Sequence, residues 1–261
     1  YGPLTIEKII EEEKPDIYIG AEDIWAFDNL WEKRWWNKLN TVLWVTIDSS
    51  PILESAINAS NSTDSFFCWS DFARKEMVER GAKRTETLHG PVDSKNFYKL
   101  STGGRKELKE IKGLSEEDFI IGFVFRNQLR KSVPNLLDGF TKFKKENHKA
   151  KLLLHTDWSE GWDIPRLMKE KKIERRDILT TYYCKECGKY EIKPFQADSR
   201  KLGEKQDCPF CFSAKSQNTI SVHSGPSEKQ LNEIYNLMDV YCHPFTSGGQ
   251  ELPIQEAKLC E

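Results

Sequence analysis

Four of the seven cysteines form two closely spaced pairs. Cys184 and Cys187 make one CxxC motif, Cys208 and Cys211 make a second, and twenty residues lie between the two motifs. Two such pairs can turn all four thiolates inward and supply a closed tetrahedral site. We therefore predict that these cysteines bind a structural zinc ion as a zinc ribbon. The alternatives are free or disulfide-paired cysteines and an iron–sulfur or catalytic role; the odd cysteine total argues against a disulfide framework.

A basic segment, residues 125–131, lies where a strand pattern changes to a helix pattern. Its two cations of interest, Arg126 and Lys131, are five residues apart. Ligands of doubly wound α/β domains bind at such strand-to-helix loops. Two cations in this position could neutralise a diphosphate leaving group without a metal ion. A solvated basic loop would have the same sequence, so this segment alone leaves both interpretations open.

A glycine-rich segment, residues 244–257, leads from a strand pattern into a helix pattern. The backbone N–H groups of Gly248, Gly249 and Gln250, together with the helix N-terminus, would attract an anion. Glu256, about one turn further, could accept hydrogen bonds from two ribose hydroxyls. An acidic residue near a helix N-terminus also suits the helix dipole, so a purely structural role for Glu256 stays open.

The elements that must position these residues are indicated by strand-length apolar runs that alternate with helical patterns. This alternation is typical of a parallel sheet covered by helices, so we predict an α/β fold. A first series contains a Trp-rich helix around Trp31, a strand at 41–47, and a helix that begins at Ser70 and ends at Gly81. A second series contains strands at 119–125, 151–155, 177–183, 219–223 and 239–243, and helices at 134–147, 164–173, 227–238 and from Leu252.

Several segments resemble family 4 retaining glycosyltransferases of the GT-B fold. Residues 88–97 resemble the family's Gly-Val-Asp-x-x-x-Phe segment that closes the first domain, with one extra proline. Residues 227–240 resemble the helix before the donor motif, and residues 252–257 match the second half of a segment with two glutamates. The resemblance covers nearly the whole chain outside the cysteine motifs.

The resemblance implies roles for individual residues. Arg126 and Lys131 match the family's five-residue interval and would contact the donor diphosphate, while Glu256 would hold the ribose. Gly248 stands where the family has its first glutamate, which usually contacts the donor sugar, so the sugar contact is not assigned. Glu251 is the nearby candidate for a substitute. Asp48 ends a strand where related enzymes place a His or Asp that faces the sugar; we predict that Asp48 is catalytic, and the alternative is a turn cap.

The same resemblance organises the chain into domains. We place a partial N-terminal, acceptor-side Rossmann-like domain at residues 1–104 and a truncated C-terminal, nucleotide-sugar-binding Rossmann-like domain at residues 105–261. The zinc ribbon at residues 181–218 is an insertion in the second domain. The chain begins at Tyr1, without an initiator Met, and ends inside a helix pattern. We therefore interpret it as a fragment truncated at both ends, and its activity as a fragment stays open.

Composition limits the partners and the compartment. Thirty-nine basic and 41 acidic residues give a net charge of -2, which does not attract nucleic acid or an anionic membrane. Between Cys184 and Cys211, six basic and five acidic residues balance, so we expect no nucleic-acid partner. The longest apolar runs are far below the ~20 residues that cross a bilayer, so we expect no transmembrane segment. Without an export signal, the free cysteines indicate a reducing, cytoplasmic location.

Two functions from different classes fit these observations, and a third possibility is a relative of the GT-B enzymes that catalyses epimerisation. The first is a hexosyltransferase-like enzyme that transfers a sugar from a UDP-, GDP- or ADP-sugar to an unknown glycan, lipid or protein acceptor. The resemblance implies that this transfer proceeds with retention and without a catalytic metal. The second is a zinc-ribbon adaptor that binds a partner protein or nucleic acid on a vestigial GT-B scaffold. The missing first glutamate at Gly248 motivates the second hypothesis.

Overall fold

The computed structural model describes residues 5–27, 29–196, 205–248 and 250–261. The chain divides into two compact units. Unit 1 comprises residues 1–91 and 247–251, and unit 2 comprises residues 92–246 and 252–261. Each unit combines helices with a sheet of mostly parallel strands, and each is described by itself below.

Unit 1 contains a four-stranded parallel sheet in the order β1-β2-β3-β4. Its strands are β1 (Ile17–Asp23), β2 (Asn40–Thr46), β3 (Ser65–Cys68) and β4 (Glu86–Thr87). Its helices are α1 (Ile6–Glu13), α2 (Glu54–Ser62) and α3 (Asp71–Glu79). The predicted ends of α3 are confirmed, because the Ser70 side chain accepts a hydrogen bond from the Ala73 N–H and Gly81 has a φ of 93°.

The predicted Trp-rich helix is wrong. Three short 3-10 turns occupy this region instead, at Ile24–Phe27, Leu30–Glu32 and Trp36–Lys38. Trp35 and Trp36 both pack against Tyr18, with ring centroids 5.4 Å apart in each pair. The packing of neighbouring indoles around one ring, and not a helical periodicity, therefore determines the backbone here.

Unit 2 contains a six-stranded sheet in the order β10-β5-β6-β7-β8, with β9 also paired to β7. Its strands are β5 (Phe119–Val124), β6 (Ala150–His155), β7 (Ile178–Cys184), β8 (Tyr190–Pro194), β9 (Gln217–Thr219) and β10 (Val240–Tyr241). Its helices are α4 (Thr102–Ile111), α5 (Val133–Glu146), α6 (Ile164–Glu170), α7 (Glu228–Asn236) and α8 (Leu252–Leu259). Strands β10, β5, β6 and β7 are parallel, whereas β8 and β9 run antiparallel to β7.

The sheet of unit 2 lies between two apolar layers. Leu152 and Leu154 of β6 face a core that includes Phe140 of α5. The intervening Leu153 belongs to a second core that includes Ile234 of α7. Leu152, Leu153 and Leu154 are fully buried, as expected for a central parallel strand covered by helices on both faces.

The strand order of unit 2 reverses next to β5. The chain proceeds from β5 to β6 to β7 in one direction, and β10 later pairs with the opposite side of β5. Open α/β sheets bind ligands at the carboxyl ends of the strands where the order reverses. The loop after β5 and the loop after β10 therefore meet at the favoured position for a ligand.

Two other predicted features differ from the structure. The strand predicted at residues 219–223 is replaced by β9, which ends at Thr219 and pairs with the end of β7. The boundary predicted between residues 104 and 105 falls inside α4, whose Leu108 packs into a core of unit 2. The assignment of acceptor-side and donor-side domains stays a prediction. Among the described residues, every helix is too short or too polar to span a bilayer.

Candidate functional site

The four predicted zinc ligands converge on one point. The Sγ atoms of Cys184 and Cys211 are 3.8 Å apart, those of Cys187 and Cys208 are 3.7 Å apart, and all four lie within 4.8 Å of one another. A tetrahedral zinc ion with Zn–S bonds of about 2.3 Å places its sulfur ligands about 3.8 Å apart. Two of the sulfur–sulfur distances therefore match those of a tetrahedral zinc site, and all four thiols are close enough together to surround one ion. We call residues 184–196 and 205–219 the cysteine module.

The backbone forms the same turn at both CxxC motifs of the cysteine cluster. The Cys184 N–H donates to the Lys189 carbonyl, and the Cys184 carbonyl accepts from the Gly188 N–H, each at 2.9 Å. The Cys208 N–H and carbonyl make the equivalent bonds with Ser213 and Phe212, at 3.0 and 2.9 Å. Each CxxC pair thus forms a local knuckle that turns its thiols inward.

Hydroxyl groups next to the cluster suit thiolate ligands. The Ser216 Oγ lies 3.3 Å from the Cys184 Sγ, and the Ser213 Oγ lies 3.2 Å from the Cys211 Sγ. The Phe210 N–H donates to the Cys208 Sγ at 3.4 Å. The Ser216 hydroxyl donates its proton to the Ser213 carbonyl at 2.9 Å, so the Ser213 hydroxyl and the Phe210 N–H are the donors here that can stabilise negative charge on a sulfur ligand. Four thiolates leave no open coordination position, which is the arrangement of a structural site.

The cysteine module is attached to α7 of unit 2. The Gln230 side chain donates to the Gly188 carbonyl at 2.8 Å, and the Tyr190 hydroxyl donates to the Glu233 carboxylate at 2.7 Å. Lys112 covers the Tyr190 ring at 3.5 Å from its centroid. Burial raises the pKa of Tyr190, so its hydroxyl remains a donor at neutral pH. The module is thus packed against the domain and is not a separate appendage.

The loops that follow β5 and β10 meet as the strand order requires. The Arg130 carbonyl accepts hydrogen bonds from the Thr246 N–H at 2.9 Å and from the Thr246 Oγ1 at 3.3 Å. Lys131 is only 4% exposed, and its Nζ lies 3.5 Å from the His243 Nε2 and 5.8 Å from the centre of the Phe245 ring. Two segments that the sequence proposed separately are therefore brought together around one buried ammonium group.

His243 and Tyr241 belong to this site, although sequence reasoning missed them. The Tyr241 hydroxyl lies 2.8 Å from the His243 Nδ1 and donates to the Val124 carbonyl at 3.1 Å. This arrangement assigns the imidazole proton to Nδ1, so that Nε2 faces Lys131 as an acceptor. The available signal was the position of His243, the last residue of the strand predicted at 239–243.

Arg126 is paired with an acidic residue that the sequence did not indicate. Its Nε donates to the Glu160 Oε2 at 2.9 Å and its Nη2 to the Glu160 Oε1 at 3.1 Å. This contact lowers the pKa of Glu160. The buried Asn127 holds the same loop through hydrogen bonds from its Nδ2 to the Glu160 and Trp162 carbonyls, at 2.6 and 2.9 Å. Gly161, at a φ of 52°, has no space for a Cβ against the Asn127 carbonyl.

Glu256 lies on α8 and is held by a tyrosine of α7. Its Oε2 accepts a hydrogen bond from the Tyr235 hydroxyl at 2.6 Å. Burial raises the pKa of Glu256, and the bond from Tyr235 opposes that rise. Burial, followed by the charge of Glu256, also raises the pKa of Tyr235, which therefore stays protonated. Sequence reasoning found Glu256 but missed Tyr235.

The remaining residues of the predicted donor segment belong to unit 1, and Gly249 lies outside the described residues. The Gln250 side chain accepts from the Gly90 N–H at 3.2 Å and donates to the Gly90 carbonyl at 3.0 Å. The Glu251 carboxylate occupies the space that a Cβ on Gly248 would need. A carboxylate therefore lies beside the position where the family's first glutamate would begin. Donor contacts by Gly248, Gly249, Gln250 and Glu251 stay predictions.

Asp48 lies in the loop after β2 of unit 1 and is exposed. The neighbouring strand β1 ends at Asp23, which accepts a hydrogen bond from the Thr46 hydroxyl at the end of β2. Asp23 therefore ends the strand next to the one that Asp48 follows, and the sequence indicated only Asp48 of these two. A catalytic role for Asp48 stays a prediction.

Comparisons with known proteins agree with this architecture. No protein-family model and no curated protein matches the chain. HepE of Anabaena, solved in complex with UDP-glucose, is 15% identical, with a TM-score of 0.63 over 99% of this chain and 61% of that chain. S. aureus TarM is 11% identical, with a TM-score of 0.61 over 97% of this chain and 42% of that chain.

A third similar structure is sucrose-phosphate synthase of Thermosynechococcus elongatus. It is 11% identical, with a TM-score of 0.59 over 98% of this chain and 56% of that chain. These neighbours are GT-B glycosyltransferases, so the predicted α/β fold of GT-B type is confirmed. The chain spans between 42% and 61% of the length of the three proteins.

Proposed function

We propose that this chain is part of a glycosyltransferase that transfers a sugar from a nucleotide-diphosphate sugar to a glycan, lipid or protein acceptor. One observation carries the proposal: a buried ammonium group and a half-buried carboxylate occur on the elements around the β5–β10 reversal. Lys131 follows β5, and Glu256 lies on the helix that comes after β10. A cation for phosphate and a carboxylate for ribose are the groups that a nucleoside diphosphate requires.

The ligands of two fold neighbours favour a uridine donor. HepE was solved with UDP-glucose, and TarM was solved with UDP among its ligands. We therefore place UDP-sugars before GDP- and ADP-sugars as donors of this chain. The resemblance to family 4 adds transfer of a hexose with retention, and without a catalytic metal, to the proposal.

The proposed reaction moves charge onto the diphosphate. The bond between the anomeric carbon and the diphosphate oxygen breaks, a bond from that carbon to an acceptor oxygen forms, and the acceptor hydroxyl gives its proton to the Asp48 carboxylate. The departing diphosphate keeps the bonding electrons. Arg126 and Lys131 would neutralise this charge, and burial of Lys131 strengthens the interaction because the local dielectric constant is low. Asp48 is the proposed catalytic residue on the acceptor side.

Binding of UDP to single-residue variants tests the donor assignment. We expect Lys131→Ala and Arg126→Ala each to weaken UDP binding at least tenfold, or about 1.4 kcal/mol, in isothermal titration calorimetry. Lys142→Ala on the exposed face of α5 is the matched control and should leave binding unchanged. Glu160→Gln should tighten binding, because it releases Arg126 from its carboxylate partner. Wild-type affinity in both alanine variants would refute the assignment.

We also propose that the cysteine module contains a structural zinc ion held by Cys184, Cys187, Cys208 and Cys211. When bound, the ion supplies a crosslink between the two knuckles and no Lewis-acid chemistry, because four thiolates close its coordination sphere. The alternative function, a zinc-ribbon adaptor on a vestigial scaffold, predicts no nucleotide binding. A thermal-shift screen of UDP-, GDP- and ADP-sugars distinguishes the two, since a bound ligand raises the unfolding midpoint.

A further inference from the structure

A buried hydrogen bond joins α7 to α8 at the proposed ribose carboxylate. Tyr235 of α7 is 3% exposed, and its hydroxyl lies 2.6 Å from the Glu256 Oε2 of α8. A distance near 2.6 Å between a hydroxyl and a carboxylate oxygen is typical of a charge-assisted bond. The hydroxyl has one proton, and that proton points to Glu256.

The ring of Tyr235 cannot easily turn away from this partner. Phe97 packs edge-on against it with centroids 6.0 Å apart, and Tyr241 packs edge-on from another side with centroids 5.8 Å apart. Edge-to-face contacts of this kind favour one ring orientation. Tyr241 in turn contacts His243, the neighbour of Lys131. Tyr241 therefore helps to hold the Tyr235 ring in place and also contacts His243 beside the proposed phosphate contact, Lys131.

We propose that Tyr235 is a positioning residue that aims the Glu256 carboxylate at the ribose hydroxyls, so that the site selects ribonucleoside over dideoxyribonucleoside diphosphates. This inference rests on the proposed function. Tyr235 occupies Oε2 and keeps the carboxylate in one rotamer. Oε1, together with the second lone pair of Oε2, is then directed to a ligand. Neither Tyr235 nor its aromatic neighbours contacts the reacting atoms in this proposal.

Selectivity follows from the low exposure of the carboxylate. The Glu256 carboxylate is partly removed from water, and a ribose hydroxyl supplies the hydrogen bond that it needs. A ligand without that hydroxyl leaves a carboxylate oxygen without a donor. Sites built to bind a hydroxyl therefore discriminate strongly against analogues without it. If Glu256 were free to rotate into solvent, water would replace the missing hydroxyl and the discrimination would decrease. The Tyr235 bond prevents that rotation.

The test compares UDP with 2′,3′-dideoxy-UDP by isothermal titration calorimetry on the purified chain. We expect the wild-type chain to bind UDP at least tenfold more tightly than the dideoxy analogue. Tyr235→Phe should reduce this ratio to threefold or less while leaving the dideoxy affinity within twofold. Tyr182→Phe is the matched control, because it removes a buried hydroxyl that accepts from the Gln196 N–H elsewhere on the sheet; its ratio should equal that of wild type.

A second variant covers the case in which Tyr235→Phe does not fold. Glu256→Asp leaves Tyr235 in place but withdraws the carboxylate by one methylene, and we expect the same loss of discrimination. If Tyr235→Phe weakens both ligands equally, or leaves both affinities unchanged, the ratio of the two affinities stays that of wild type. Tyr235 would then be merely structural, and the inference would be overturned. UDP binding by wild type without discrimination would overturn this inference alone, whereas no UDP binding would overturn the proposed function as well.

Discussion

The cysteine module and the site at the β5–β10 reversal are built in opposite ways, although both belong to unit 2. Each knuckle of the module is closed by backbone hydrogen bonds within six residues, and only the pairing of the two knuckles is long-range. The reversal site instead takes Lys131, Tyr235, His243 and Glu256 from four separate segments. A spacing motif can thus reveal the first site, whereas a fold is needed to recognise the second.

Loss of one cysteine of the cluster should have the largest effect on stability, and the structural change should be confined to the cysteine module. We expect Cys208→Ser to abolish stoichiometric zinc, measured by elemental analysis, and to lower the free energy of unfolding by about 3 kcal/mol or more, since metal binding is coupled to folding. Cys68→Ser is the control: Cys68 is also buried, but it lies in unit 1 and outside the cluster. That variant should lose stability and keep its zinc. A Cys208→Ser chain with one zinc ion per molecule would contradict the proposed site.

A buried histidine near the ligand edge should produce a smaller, pH-dependent effect. His155 at the end of β6 is 6% exposed, its Nδ1 lies 2.8 Å from the Thr181 hydroxyl, and burial lowers its pKa to about 3. The unfolded chain then binds the proton more tightly than the folded chain. Stability is therefore full above pH ~6.5 and falls by about 1.4 kcal/mol per pH unit as the pH decreases towards 3.

Chemical denaturation of His155→Gln across this pH range measures the effect. The difference in unfolding free energy between the variant and wild type removes any contribution of acid-released zinc that the two chains share. On acidification, we expect the unfolding free energy of wild type to fall relative to that of the variant by about 1.4 kcal/mol per pH unit. A difference that is constant with pH would show that His155 is not the buried neutral group described above.

The smallest effect compares the two knuckles with each other. Gly188 and Phe212 occupy equivalent positions, with φ values of 69° and 60°, and Phe212 is 84% exposed. A left-handed conformation costs a residue with a side chain about 1–2 kcal/mol, and glycine avoids this cost. Glycine is more flexible when unfolded, however, and this offsets about 0.5–1 kcal/mol of the gain. Phe212→Gly should therefore raise the unfolding free energy by about 0.5–1 kcal/mol, whereas Gly188→Ala should lower it. Denaturant melts measure both changes. A lower unfolding free energy in Phe212→Gly, or a higher one in Gly188→Ala, would refute this assignment of strain.

Particular elements show where sequence patterns were sufficient. The helix predicted at 227–238 is present as α7, and the structure gives it a capping box in which both reciprocal bonds between Ser227 and Gln230 are made. The pattern at residues 31–36 failed, because the indoles of Trp35 and Trp36 pack around Tyr18 in a way that helical periodicity does not describe. Periodicity predicts elements whose apolar face is regular, and it fails where single large rings determine the packing.

The candidate site shows the same limit. Arg126 and Glu256 were proposed from the sequence because their motifs are continuous in it. Glu160 and Tyr235 were missed because nothing in their own segments distinguishes them, and His243 was missed because a place at the end of a predicted strand is a weak signal. They matter only through partners that lie 34, 21 and 112 residues away in the chain.

The sequence by itself determined the two CxxC motifs, the alternating α/β pattern and the residues that resemble a donor-binding motif, because each depends on spacing within a short segment. Only the tertiary structure decided that β10 pairs with β5 on the side opposite β6, and that Lys131 meets His243 while Glu256 meets Tyr235. Parallel strands are joined by long crossovers, so strand order depends on how helices pack on both faces of the sheet. Local spacing does not encode that packing.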